Sequence, residues 1–263
     1  MNHDLIDTHC HLNHEEFSHD WAEVYSRAEA AGVSRFLCIG YDLASSRSAA
    51  QLAARHTAIY AALGIHPESA DEWNEQTSAE IANLFAVQPE KLTAYGEIGL
   101  DYHWDTVPKE RQQEVFAAQI AFALALRHGS PLPLIIHNRD ALADVLAVLK
   151  ESQTPAPIVM HCFTGDTETA RLCLDAGCYL GIGGVATFKK SEAVRDAIAF
   201  APLARLLLET DCPYLAPQFR RGRRNEPSYL PAIAETVAAA KSLTVEEVAA
   251  TTTATARRLF GMR

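Results

Sequence analysis

The sequence is short of positive charge. Its 263 residues carry 23 Lys and Arg against 33 Asp and Glu, a formal net charge of -10, whereas proteins that hold nucleic acid through backbone charge alone present a basic face. Passive coating of nucleic acid is thereby excluded, and such a substrate would require a local positive feature or bound cations. Long apolar runs are also missing. Segments such as AFALAL and PLPLII fall far below the roughly 18 residues of a membrane span, so no membrane partner is expected. The opening MNHDLIDTHC has neither the basic start nor the apolar stretch of a secretion signal, which predicts a cytoplasmic protein. Among six cysteines there is no CxxC pair, and in a long chain without a secretion signal reduced thiols are the expected state. Thirteen glycines and twelve prolines are too few for a fibrous or low-complexity chain. The absence of a G-x-S-x-G elbow argues against a serine hydrolase.

What is present is a regular alternation. Short apolar or β-branched runs predict strands at Leu5–His9, Ser34–Ile39, Ile59–Ile65, Leu92–Ile98, Leu132–His137, Ile158–His161, Cys178–Ile182 and Arg205–Thr210. Helical periodicity fills the gaps at Ala22–Ala31, Ser45–Arg55, Glu80–Val87, Glu110–His128, Ala141–Lys150, Glu168–Ala176 and Glu192–Phe200. Strand and helix alternating eightfold, with strands apolar on both faces, predict a parallel sheet covered on both sides. A chain of this length suits one α/β domain, 1–263, built as a (β/α)₈ TIM barrel, which typically takes about 250 residues. Gly32, Gly129 and Gly177 fall just after predicted helices, where a left-handed cap is needed. Beyond the eighth strand the rhythm changes. Pro213–Pro231 reads as a long loop, and extra C-terminal helices follow at Pro231–Ser242 and Val245–Phe260, with Thr244 and Glu247 spaced as a capping box. No linker, repeat or interface signature is present, and a monomer is expected.

The strand ends carry the chemistry. In Asp7-Thr8-His9-Cys10-His11 the period of two puts His9 and His11 on one face and Cys10 on the other. Glu97 lies at the end of the fourth strand, His137 ends the fifth, His161 the sixth, and Asp211 follows the eighth. Barrel active sites are built at that carboxyl edge. Charged and imidazole side chains terminating apolar strands would each cost several kcal/mol if buried unpaired. Metal coordination resolves them together. Four histidines and two carboxylates exceed the needs of one tetrahedral ion, so two divalent ions sharing a carboxylate is the natural count. Zn²⁺, Mg²⁺, Mn²⁺, Fe²⁺ and Ni²⁺ all suit such donors.

The set DTHCH, GIHP, GEIGLDY, His137, HCFTG, ETDCP and RNEP resembles the TatD family of metal-dependent deoxyribonucleases, within the amidohydrolase superfamily. The likeness spans nearly the whole chain in order. It implies a barrel with a two-metal hydrolytic site acting on phosphodiesters, commonly as a 3′ to 5′ exonuclease on single-stranded DNA. It also implies that His9, His11 and Asp211 bind one ion, His137 and His161 the other, and that Glu97 bridges. Every family ligand position is filled.

Other residues have several readings. Two ions can polarise a phosphoryl oxygen and lower the pKa of a water, and Asp211 could then act as general base. His66, ending the third strand, could contact phosphate, assist the leaving group, or simply be hydrogen-bonded near the strand end. Asp101 could contact substrate, orient a histidine from behind, or cap a loop. Tyr102, Trp104 and Phe163 could stack on bases or pack. Arg220, Arg221, Arg223 and Arg224 crowd the loop after Asp211, and Arg223 with Asn225 is expected to meet phosphate. Two ions would add about four positive charges at one mouth, so single-stranded nucleic acid ends are the favoured substrate. A small-molecule amidohydrolase or lactonase is the alternative, although many such relatives bridge their ions with a carboxylated Lys, and no Lys ends a strand here. A D-aminoacyl-tRNA deacylase would use the same donor set.

Overall fold

A computed structural model describes residues 4–126 and 130–263. Its strands are β1 (Leu5–Cys10), β2 (Val33–Ile39), β3 (Ile59–Leu63), β4 (Leu92–Asp101), β5 (Leu134–Arg139), β6 (Ile158–Met160), β7 (Tyr179–Ile182) and β8 (Leu206–Leu208). The helices are α1 (Trp21–Ala30), α2 (Leu43–Arg55), α3 (Glu75–Val87), α4 (Lys109–Ala125), α5 (Leu142–Ser152), α6 (Thr167–Asp175), α7 (Glu192–Phe200), α8 (Leu230–Lys241) and α9 (Val245–Phe260). The strands form one sheet in sequence order, β1 to β8. Each strand alternates with a helix, which is the (β/α)₈ TIM-barrel fold with additional C-terminal helices. Among the described residues no helix is long and apolar enough to cross a membrane.

The chain divides into two compact units, residues 39–161 and the two flanking segments together. In the flanking unit β1 pairs in parallel with β2, from Leu5 beside Val33 to Cys10 beside Cys38, and β7 pairs with β8. Beyond β8 the chain runs along β1: the Asp211 N–H donates to His9 O and the His11 N–H donates to Cys212 O, both at 2.8 Å. Helix α9 packs on β1 and β8, and its Val248, Ala256 and Phe260 are buried. Its start is fixed by the expected capping box of Thr244 and Glu247. Gly32 and Gly177 hold φ of 90° and 82°, the left-handed caps that only glycine adopts without cost.

In the 39–161 unit β3, β4, β5 and β6 pair in parallel. All ten residues of β4 are buried. Two buried glutamines of α4, one on each side of its second turn, fasten the strand ends. Gln119 donates to Ile65 O and accepts from the Ile65 N–H, both at 2.9 Å. Gln112 accepts from the Asp101 N–H at 2.8 Å and donates to Asp101 O and Val107 O at 2.9 Å. The seven-residue spacing puts both amides on one helical face. They anchor the residues beside His66 and at Asp101.

Several boundaries move. β4 and β5 run on to Asp101 and Arg139 because Gly99, Leu100 and Asp101 stay in register with His137, Asn138 and Arg139. β6 and β8 stop at Met160 and Leu208, so His161 and Asp211 sit on the segments that follow. α3 starts at Glu75 rather than Glu80, since the Asn74 side chain accepts from the Gln76 and Thr77 N–H groups. The expected end of the fourth helix at His128, and its Gly129 cap, lie outside the described residues.

Candidate metal centre

In the flanking unit, His9, His11 and Asp211 meet. Asp211 Oδ1 stands 3.6 Å from His9 Nε2 and 3.4 Å from His11 Nε2. All three are buried. Alternation along β1 turns Cys10 the other way, where its thiol donates to Leu37 O at 3.4 Å. Asp211 has φ of +57°, a conformation that Asp tolerates better than most residues. It is held there by its own N–H bond to His9 O and by the Tyr214 N–H donating to Asp211 O at 2.9 Å.

A residue missed in the sequence underlies this cluster. Asp7 is fully buried, and its carboxylate accepts from the Thr210 N–H (2.9 Å), the Thr210 hydroxyl (2.6 Å) and the His9 N–H (3.3 Å). Burial pushes its pKa up to about 7 despite those bonds. It bolts the β1 end to the segment after β8. Glu209 was missed as well. It is buried and accepts from the Cys162 N–H at 2.5 Å, and a Cβ at Gly181 would lie 2.1 Å from Glu209 Oε2. The glycine within β7 leaves the space that the Glu209 carboxylate fills. The signal in both cases was a carboxylate beside a ligand, but spacing alone does not tell a ligand from a support.

In the 39–161 unit, Glu97 Oε1 lies 2.9 Å from His137 Nδ1, 2.7 Å from His161 Nε2 and 3.7 Å from His66 Nε2. The two facing nitrogens of His137 and His161 are 3.2 Å apart. On its far side His137 Nε2 is 2.9 Å from Asp101 Oδ2. The other Asp101 oxygen accepts from the His103 and Trp104 N–H groups at 2.9 and 3.1 Å. Burial opposes ionisation of Asp101, but its bond to His137 and the two amides outweigh that and hold it at about 2. Burial likewise opposes charge on His137, yet its bonds to Asp101 and Glu97 win and raise it to about 9. The metal-free cluster thus holds an imidazolium between two carboxylates. His66 differs: burial, with repulsion from His137, lowers it to about 3. The Glu68 N–H donates to its Nδ1 at 3.2 Å, so the neutral ring carries its proton on Nε2, the atom that faces Glu97.

These donors fit divalent cations. In a tetrahedral shell with bonds of about 2.0–2.1 Å, donors stand about 3.3–3.4 Å apart. The separations of 3.4 and 3.6 Å in one cluster and 2.7 to 3.2 Å in the other surround that value. Every donor is an imidazole nitrogen or a carboxylate oxygen, which suits first-row divalent metals and Mg²⁺.

The expected substrate residues are placed differently. Tyr102 donates its hydroxyl to Asp144 Oδ2 at 2.7 Å and accepts from Gln113 at 2.6 Å. Trp104 is about half exposed, with Arg139 over its ring at 5.4 Å, while Phe163 is buried. Arg223 is exposed. Arg224 instead pairs through both terminal nitrogens with Asp20, at 2.8 and 2.5 Å, so the positive feature of this loop rests on its other three arginines. Asn225 lies inside the loop with no exposed surface. Its amide nitrogen donates to Thr210 O and Tyr214 O, each at 2.7 Å, and its own N–H donates to Pro213 O at 2.9 Å. It closes the loop after Asp211 on itself.

The family model described as TatD related DNase matches residues 6–261. An uncharacterized metal-dependent hydrolase of Bacillus subtilis, YabD, is 46% identical over 257 residues, covering 97% of this chain and 98% of that protein. A protein of Klebsiella pneumoniae named 3′-5′ ssDNA/RNA exonuclease TatD is 36% identical over 264 residues, covering 98% of each chain. Among solved structures, the TatD homologue YjjV of Escherichia coli K12 superposes with a TM-score of 0.92 at 30% identity, covering both chains completely.

Proposed function

The chain belongs to the TatD-related DNase family of metal-dependent hydrolases, and from that premise we propose that it removes nucleotides from the 3′ ends of single-stranded DNA, and of RNA, with two divalent ions. The observation that carries the reading is the pair of donor clusters, His9, His11 and Asp211 in one and Glu97, His137 and His161 in the other, each at fitting separations. A relative bearing an exonuclease name shares 36% of its residues with this chain. When bound, the ions supply Lewis acidity at a phosphoryl oxygen and lower the pKa of a nucleophilic water. Asp211, beside His9 and His11, would be placed to accept a proton as general base. Glu97, set against His137 and His161, would hold an ion with them. Neutral His66 donates from Nε2 to a phosphate oxygen; at about 3 its pKa is too low for it to hand a second proton to the leaving group near neutral pH. Asp101 holds His137 in the tautomer that leaves Nδ1 for an ion. The exposed Arg223 meets backbone phosphate. One domain, 1–263, acting as a cytoplasmic monomer completes the reading, and light scattering after size exclusion checks the monomer.

The test is a panel. Purified protein with Mg²⁺, Mn²⁺ or Zn²⁺ should shorten a 5′-labelled single strand from its 3′ end. His137→Ala and Asp211→Asn should each abolish this. Inactivity on DNA and RNA, with turnover of a lactone or an aminoacyl ester instead, overturns it in favour of the alternative hydrolase.

A further inference from the structure

The loops after β7 and β8 carry features that the two donor clusters leave unused. Residues 184–190 and 213–224 hold six cationic side chains and no acidic one, in a chain whose net charge is -10. With Arg224 engaged by Asp20, five remain: Lys189, Lys190, Arg220, Arg221 and Arg223, all exposed. Aromatic rings are interleaved among them. Phe219 is 59% exposed and meets Tyr229 edge-on at 5.3 Å. Arg220 lies 5.8 Å from the centroids of both rings, and Arg221 lies 4.6 Å over Phe188.

The surface is built rather than loose. Gln218 ties the two loops together, its N–H donating to Thr187 Oγ1 at 2.8 Å and its Oε1 accepting from the Lys189 N–H at 3.1 Å. Arg195 holds the first loop from below through Ala186 O and Phe188 O, at 3.0 and 2.7 Å. The backbones approach so closely that a Cβ at Gly184 would lie 2.1 Å from Leu215 O. Asn225 closes the second loop. The loop begins at Pro213, two residues after Asp211, and Tyr214 stands edge-on to His11 with centroids 5.9 Å apart. A surface so placed continues from a metal ligand outward.

We infer that Lys189, Lys190, Phe219, Arg220, Arg221 and Arg223 form a binding track for the body of a single-stranded nucleic acid whose 3′ end lies at the cluster of His9, His11 and Asp211, an inference that rests on the nuclease reading only for where that end goes. Cations spaced along the loops match a phosphate backbone, and an exposed ring between them offers a base a stacking face. Duplex DNA presents no free base face to Phe219. An anionic lipid surface would need the charges without the ring geometry.

Binding of a 5′-fluorescein oligothymidylate of about 20 nucleotides is measured by anisotropy in EDTA, where hydrolysis is stopped. Lys190→Ser/Arg220→Ser/Arg221→Ser should lower the slope of log affinity against log salt by about 2. Phe219→Ala should weaken the single strand by about tenfold and leave a duplex of the same length unchanged. With metal restored, both variants should cleave the dinucleotide TpT as the wild type does, since TpT is too short to reach the track. Wild-type affinity and slope in both variants would overturn the track, even if wild-type protein degrades the strand as proposed. Equal binding of duplex, or transfer of the protein to phosphatidylserine vesicles in place of the oligonucleotide, would also overturn it. A wild-type protein that binds the strand through these residues but cleaves neither strand nor TpT would instead overturn the nuclease reading and leave the track standing.

Discussion

The two donor clusters are built in different ways. That of Glu97, His137 and His161 is knit by its own side chains, with separations of 2.7 to 3.2 Å and Asp101 bonded behind His137. That of His9, His11 and Asp211 is looser, at 3.4 and 3.6 Å, and is held from below by backbone bonds and by Asp7 gripping Thr210. A self-bonded cluster stays ordered without a cation but must give up a proton to take one. The backbone-held cluster instead depends for its integrity on the buried Asp7 carboxylate, which grips Thr210 and stands outside the three donors. Loss of metal and loss of fold should therefore separate differently in the two.

The largest expected effects come from the proposed ligands. His137→Ala and Asp211→Asn should each lower hydrolysis by at least about 10³, the loss of several kcal/mol of charge stabilisation, read as the initial rate with saturating metal. Asp101→Ala comes next. It should cost about 10- to 100-fold in metal affinity by freeing the His137 ring, while Asp101→Asn recovers part of this by keeping an oxygen for Nε2. Isothermal titration with Mn²⁺ measures both.

Asp7→Ala breaks the other cluster through its support. It leaves the Thr210 amide and hydroxyl without their acceptor in a buried position, which should cost about 2–4 kcal/mol in urea unfolding. Metal bound by His137 should persist in the fraction that folds. The reverse result, full stability with lost metal at His137, would erase the distinction drawn between the clusters.

The pH dependence is smaller and has a definite sign. His137 has its pKa raised from 6.5 to about 9 in the folded, metal-free protein. Its contribution to stability is thus fully present below 6.5 and is lost as pH rises through about 9. Chelated protein should show a falling Tm across that window, and His137→Gln should flatten it. Metal addition near pH 8 should release about one proton per ion taken by this cluster, measurable in weak buffer.

The eightfold alternation was legible because strands buried on both faces and amphipathic helices differ in period. His9 and His11 were legible for the same reason, as period two fixes their common face. The supports were not. Gln112 and Gln119 are polar residues on a helix, and nothing in their spacing distinguishes an exposed amide from one buried against a strand end. Arg224 read as part of the positive feature of its loop because its partner, Asp20, lies 204 residues away. Asn225 read as a phosphate contact, while its amide is engaged by carbonyls of its own loop. Residues that bind a ligand and residues that hold a loop use the same chemistry, and only the fold separates them.

The most direct test of the account is an anomalous-scattering measurement on crystals grown with Mn²⁺ or Zn²⁺. Two ions per chain are expected, one held by His9, His11 and Asp211 and one by Glu97, His137 and His161. A single ion, or ions lying away from His9 and His137, would contradict it.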